Sequence, residues 1–178
     1  MVLEPLWSII SKYLERATMK HSLFLAAIVL SCGVFAFAQQ TTTTVVRADK
    51  QEKFDPSRDA AADIKAGVEI AKKEHKRVIL DVGGEWCPWC KKLDKMFHTD
   101  AEIAKELKEH YVVVKVNFSQ ENKNEAVLSK YPEIKGYPHL FVLDSDGKLL
   151  HSQDTGLLET GDHHDHDKVM TFLKAWAK

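Results

Sequence analysis

Cys87 and Cys90 stand where an apolar strand pattern, Val78-Ile79-Leu80-Asp81-Val82, gives way to a helical one. The run between is Trp86-Cys87-Pro88-Trp89-Cys90-Lys91. Two thiols at this spacing can close a disulfide with each other and open it again on a substrate. The spacing puts Cys87 at a helix N-terminus and Cys90 one turn later on the same face. Pro88 fits the first helical position, where its missing N–H costs nothing. The free N–H groups and the dipole of that helix end favour a Cys87 thiolate. The thiolate is the nucleophile of disulfide exchange. A CxxC held between a strand and a helix is a much stronger signal than a bare one.

A second cluster, Asp162-His163-His164-Asp165-His166-Asp167, has the composition of a metal tract. His163 and His166 can share a face, and imidazoles suit zinc, copper or nickel. A solvated loop before the last helix, with Asp165 or Asp167 as N-cap, explains the same residues without metal. That is the reading adopted, with no metal site assigned. Zinc on Cys87 and Cys90 lacks a second pair of ligands.

Composition sets the frame. The 178 residues suffice for one domain with a sizeable core. Their 25 basic and 26 acidic side chains nearly balance, and no basic patch points to nucleic acid. Three cysteines are too few for a disulfide-stapled scaffold.

The elements that position the thiols follow from periodicity. Ser57 is expected to cap a helix running to about His75, with Ala62, Ala66, Ile70 and Ala71 inward. Residues 77–82 read as a strand, and Pro88 to Phe97 as a helix. Thr99 or Asp100 caps a further helix, Ala101 to Glu109, which buries Ile103, Ala104 and Leu107. Tyr111 to Val116 is a β-branched strand, and Asn122 to Lys130 a short helix. Leu140–Leu143 and Lys148–His151 flank the hairpin turn Asp144-Ser145-Asp146-Gly147. Asp167 to Ala177 closes the chain with a helix that buries Val169, Phe172, Leu173 and Trp176. Alternating helices and strands predict an α/β sandwich around a mixed central sheet.

The N-terminus reads as a targeting segment. Residues 22–38 carry no charge, follow Lys20 and His21, and end in Ala36-Phe37-Ala38, a small-x-small cleavage site. Cleavage after Ala38 is the preferred maturation. An uncleaved membrane anchor is one alternative. Lipidation of Cys32 in Val29-Leu30-Ser31-Cys32-Gly33 is another. Residues 1–18 precede a natural start at Met19 and read as an N-terminal extension. Residues 39–53, with the Thr41–Thr44 run, read as a flexible linker into a domain spanning 54–178.

From about Phe54 to Lys178 the chain resembles the thioredoxin superfamily, in particular its exported bacterial members. Asp81 stands six residues before Cys87, where thioredoxins keep a buried aspartate. Glu85-Trp86-Cys87 matches the run into the active site. Lys115 matches the lysine beside that aspartate, and Gly136-Tyr137-Pro138-His139 matches the loop whose proline is cis and faces the disulfide. The dipeptide between the cysteines departs from the pattern. Pro-Trp is not the Gly-Pro of thioredoxin, and looks more like the Pro-Tyr of glutaredoxins or the Pro-His of a periplasmic oxidant. The direction of electron flow therefore stays open.

The resemblance implies a thioredoxin-like three-layer sandwich, with a central mixed sheet between helices, and gives each residue a role. Cys87 is the exposed nucleophile, and Cys90 behind it resolves the mixed disulfide. Asp81 is the base for Cys90, its pKa raised by burial and moderated by Lys115; the alternative is a strand residue with a polar partner. Trp86, Pro88, Trp89, Tyr137 and Pro138 form the substrate face. For Pro138 the alternative is an ordinary turn proline. For the tryptophans it is core packing, more so for Trp86 than for Trp89. The implied function is an exported, most simply periplasmic, thiol–disulfide oxidoreductase acting on protein disulfides or thiols. Its only redox group is the Cys87–Cys90 disulfide, and no cofactor is needed. Reductase or isomerase is favoured over oxidant, with a membrane partner as electron donor or acceptor. The rival is a copper-handling module using Cys87, Cys90 and either His139 or the histidine tract.

Overall fold

A computed structural model describes residues 53–178. The N-terminal extension, the apolar segment with Cys32 and nearly all of the linker lie outside the described residues. Five helices and six strands follow in chain order. They are α1 (Ala60–Glu74), β1 (Arg77–Gly83), α2 (Pro88–Thr99), α3 (Ala101–His110), β2 (Tyr111–Asn117), α4 (Glu125–Leu128), β3 (His139–Leu143), β4 (Leu149–Asp154), β5 (Glu159–Thr160), β6 (His163–His164) and α5 (His166–Trp176). A 3-10 turn, Thr155–Leu158, links β4 to β5.

The main sheet has the order β2-β1-β3-β4, and β5 and β6 form a separate two-stranded ribbon. β1 runs parallel to β2, whereas β1–β3 and β3–β4 are antiparallel, so the sheet is mixed. Strand side chains alternate between faces, and the two faces of β1 feed two cores. Ile79 joins Leu93 and Phe97 of α2, Ile103 and Leu107 of α3, and Val169 and Leu173 of α5. Val78, Leu80 and Val82 join Ala60 and Ala71 of α1, with Val127 and Leu128 of α4 at the margin. The result is a helix–sheet–helix sandwich of thioredoxin type.

Local chemistry moves several boundaries. Ser57 does not cap α1. Its N–H and hydroxyl both donate to Asp55, 2.8 and 2.7 Å away. Asp59 is the cap, accepting from the N–H groups of Ala61 and Ala62. The buried stripe of α1 follows: Ala60, Gly67 and Ala71 are buried with Ile64 and Val68 beside them, whereas Ala62 is exposed. The helix proposed for residues 122–130 shrinks to the single turn α4. Asn124 is left-handed (φ 50°), and its side-chain amide donates to the Asn117 carbonyl at 2.7 Å. Polar side chains hold residues 122–124 as a loop.

The other ends follow their capping residues. Asp100 caps α3 and Asp165 caps α5. The β3–β4 turn closes with Gly147 at φ +84°, a conformation that glycine adopts without strain.

Candidate active site

Cys87 and Cys90 form a disulfide at the start of α2. Cys87 is the helix N-cap. Its Sγ accepts the N–H of Cys90 at 3.1 Å, as a capping oxygen would. Pro88 occupies the first helical position. Cys90 faces inward against Gly83 of β1. A Cβ built at Gly83 would stand 2.5 Å from Cys90 Sγ and 3.2 Å from the Phe54 ring. Gly83→Ala is therefore expected to lower stability by about 1–3 kcal/mol through overpacking. A drop in thermal midpoint of several degrees checks this; an unchanged midpoint would show that the site yields.

One expectation needs correcting. Cys87 is not exposed: 2% of its surface is accessible. Phe54, from the segment before α1, is buried with both cysteines, and Trp89 and Tyr137 close in from the sides. The Phe54 N–H donates to Glu85 Oε1 at 3.0 Å, and the Lys115 ammonium lies 4.5 Å from the Phe54 ring centroid.

A buried charge cluster starts from Asp81, two residues before Gly83 on β1 and so on the face that meets Cys90. Asp81 and Lys115 are register partners across the parallel β1–β2 pair, so their side chains share a face. Asp81 is 1% exposed, and its Oδ2 lies 3.7 Å from Lys115 Nζ. Its Oδ1 has no hydrogen-bond partner among the described residues. Burial pushes its pKa up to about 6; the Lys115 charge pulls the other way, and Asp94 adds to the rise. Lys115 itself donates directly to Asp94 Oδ1.

Asp94, which the sequence reading left out, thus competes with Asp81 for the one buried ammonium. Its position four residues after Cys90, on the same helix face, was the available signal. Phe54 was missed as well, and Glu85 and His164 were named only as members of their runs, without the contacts they make here. The isolated aromatic Phe54, at the end of a polar stretch, carried the best hint among them.

Trp86, expected on the substrate face with core packing as the alternative, is 56% exposed. Its indole N–H donates to the Phe118 carbonyl at 2.7 Å, which holds the ring outside the core. Tyr137 meets Trp86 edge-on at 5.8 Å and stacks on Phe118 at 4.6 Å. Trp89 is the half-buried one, set between Lys92 and His164. The Tyr137–Pro138 peptide is cis, and the Thr155 hydroxyl donates to the Pro138 carbonyl. These two residues lead into β3 beside the disulfide.

The histidine tract does not converge. His163 pairs with Asp162 at 3.2 Å, and His166 with Asp100 at 2.8 Å. His164 is buried against Trp89 and not solvated. The tract supplies β6 of the ribbon and the cap and first residues of α5 instead of one loop. His139 is buried, with Nε2 2.8 Å from the Ser152 hydroxyl. Among the described residues no three His, Cys, Asp or Glu side chains group to hold a metal.

The chain is similar in sequence and fold to known proteins. The thioredoxin-like family profile matches residues 59–145. The chain is 32% identical over 91 residues to the thiol:disulfide interchange protein DsbD of Actinobacillus pleuropneumoniae serotype 5b, covering 51% of this chain and 15% of that protein. It is 30% identical over 92 residues to the disulfide bond reductase DsbH of Chlamydia pneumoniae, covering 47% of this chain and 55% of that one. The disulphide isomerase from Xylella fastidiosa Temecula1 superposes with a TM-score of 0.61 at 26% identity, over 68% of this chain and 94% of that one. The chain therefore spans about half of DsbH and a small part of DsbD. With its mixed sheet, flanking helices and CxxC disulfide, the region is a thioredoxin-like domain related to DsbD, DsbH and a bacterial disulphide isomerase.

Proposed function

We propose that the protein is an exported thiol–disulfide oxidoreductase that reduces or isomerises protein disulfides. The observation that carries this reading is the Cys87–Cys90 disulfide at the N-terminus of α2, with the Cys90 N–H on Cys87 Sγ. Starting from the reduced pair, the Cys87 thiolate attacks one sulfur of a substrate disulfide. That S–S bond breaks, one substrate sulfur leaves as a thiol, and a mixed disulfide forms on Cys87. Asp81 then takes the Cys90 proton, and the Cys90 thiolate attacks Cys87 Sγ. The mixed disulfide breaks, the second substrate thiol leaves, and two electrons have passed to the substrate.

Asp81 suits the base role because a pKa of about 6 leaves it ionised at neutral pH yet still basic enough to accept a proton. Lys115 moderates that pKa, and Asp94 sets how much of the Lys115 charge Asp81 feels. Trp86, Tyr137 and Pro138, with Pro88 and Trp89, make the face on which an extended substrate lies. The reductase direction is supported by Asp81 as a base for the dithiol and by the likeness to DsbH, a disulfide bond reductase. A reductase outside the cytosol needs electrons from a membrane partner. Export is supported by the apolar segment 22–38. No helix among the described residues is long and apolar enough to cross a membrane.

Equilibration of the Cys87–Cys90 pair in glutathione buffers tests the direction. A potential near roughly −270 mV, that of thioredoxin, is expected; a value near about −120 mV, that of a dedicated oxidant, would overturn the reductase reading. Failure to reduce insulin with dithiothreitol as donor would overturn the oxidoreductase reading itself.

A further inference from the structure

The β5–β6 ribbon is fastened to the first turn of α2. His164 on β6 is 1% exposed, and its Nε2 lies 3.3 Å from the Trp89 carbonyl oxygen. Its ring meets the Trp89 indole edge-on at 5.3 Å. Lys92 closes the other side, 4.3 Å from the Trp89 ring centroid, and donates to the Asp162 carbonyl at the ribbon's tip. A carbonyl can only accept, so Nε2 carries the proton. Nδ1 is then bare, and it has no hydrogen-bond partner among the described residues. Burial holds the imidazole pKa below its ordinary value. His164 is thus a neutral N–H donor.

Its acceptor is one end of a single peptide unit. The other end of that unit is the Cys90 N–H, the donor to Cys87 Sγ at 3.1 Å. The unit is planar and its two ends are coupled by resonance. A donor on the carbonyl both fixes the plane and strengthens the N–H as a donor.

We propose that His164 is a positioning residue for the nucleophile, holding the Trp89–Cys90 peptide unit so that its N–H stabilises the Cys87 thiolate. This rests on Cys87 being the nucleophile of the proposed exchange reaction. The groups of the buried charge cluster come from other positions: Asp81 on β1, Lys115 on β2 and Asp94 on α2. Those facing His164 are Lys92, Glu159 and His163. A substitution at His164 leaves all of them in place.

The test compares His164→Phe, which keeps an aromatic ring but no donor, with His164→Gln, which keeps a donor for the same carbonyl. Two quantities are read on the full-length protein. One is the rate of iodoacetamide alkylation of reduced Cys87, followed by mass spectrometry of its peptide. The other is the equilibrium in which the Cys87–Cys90 disulfide and two glutathione thiols become the dithiol and one glutathione disulfide. His164→Phe is expected to slow alkylation about three- to tenfold and to shift the equilibrium toward the protein disulfide by a similar factor, the range of one hydrogen bond. His164→Gln is expected to restore both. If His164→Phe fails to fold, His164→Leu is read in its place.

Wild-type values in the donor-free variant would overturn the proposal, as would equal losses in the Phe and Gln variants, because a purely structural role follows shape and not the donor. Neither readout requires turnover of a protein disulfide. An inactive wild-type protein in the insulin assay would therefore remove the oxidoreductase reading while leaving the effect of His164 on Cys87 measured.

Discussion

Cys87→Ser is expected to reduce insulin reduction to the uncatalysed rate, whereas Cys90→Ser should leave the first attack intact and accumulate a mixed disulfide on Cys87. The two thiols are chemically alike, and their surroundings separate them. Cys87 caps α2, and its sulfur receives the Cys90 N–H. A negative charge at that atom is favoured by the helix end. Cys90 lies inside the first turn and faces Gly83 across a gap too narrow for a methyl group. Mass spectrometry of each variant, mixed with an excess of a disulfide-bonded peptide, reads the adduct directly. An adduct on Cys90 in the Cys87→Ser protein, at the rate seen for Cys87 in the other, would reverse the assignment.

The burial of Cys87 adds a condition. Phe54 and Tyr137 lie over the closed disulfide, so the attack needs at least one of them to give way. Tyr137 is half-buried and rests on the half-buried Phe118 and the exposed Trp86. Phe54 is held by the Glu85 carboxylate and the Lys115 charge. The softer side is therefore the aromatic loop, where the proposed substrate face lies.

What the sequence made legible was what short-range periodicity controls. Val78 to Val82 and Tyr111 to Val116 are apolar, β-branched runs, and they became the parallel pair of the main sheet. Asp81 stood out because a charge inside such a run is costly, and Lys115 through the family resemblance. The face of α1 was legible at Ile70 and Ala71 but not at Ala62, because alanine contributes little to either side and the larger Ile64 and Val68 decide the rotation. The β5–β6 ribbon was invisible: two-residue strands of Glu, Thr and His have no apolar period, and His164 anchors them only through a partner far away in the chain. Asp94 was hidden in a lysine-rich turn that reads as solvated surface. Phe54 was taken as the start of the domain, and its cover over Cys87 depends on tertiary contact alone.

Asp81→Asn is expected to make the folded protein more stable at pH 8 by roughly 3 kcal/mol while slowing resolution. Burial strips water from the carboxylate and raises its pKa to about 6, against an ordinary value of 3.8 that holds in the unfolded chain. Between those values the unfolded chain has lost the proton and the native state keeps it. Stability from this group is therefore complete below pH 3.8, falls as pH rises through 6, and stays lost above. Asparagine does not titrate, so the advantage of the variant should vanish at pH 3.5, grow through pH 4–6 and level off. Lys115 keeps Asp94 as its partner, so no unpaired cation is left behind. Urea unfolding of both proteins across this range reads the difference; parallel curves would mean that Asp81 is not the group responsible. The same substitution removes the proposed acceptor for the Cys90 proton. The mixed disulfide should then persist on the order of 10²-fold longer, the usual worth of a general base, and any inflection near pH 6 in the resolution rate should disappear. A more stable protein that resolves its substrate more slowly would identify Asp81 as a carboxylate kept for chemistry at the expense of the fold.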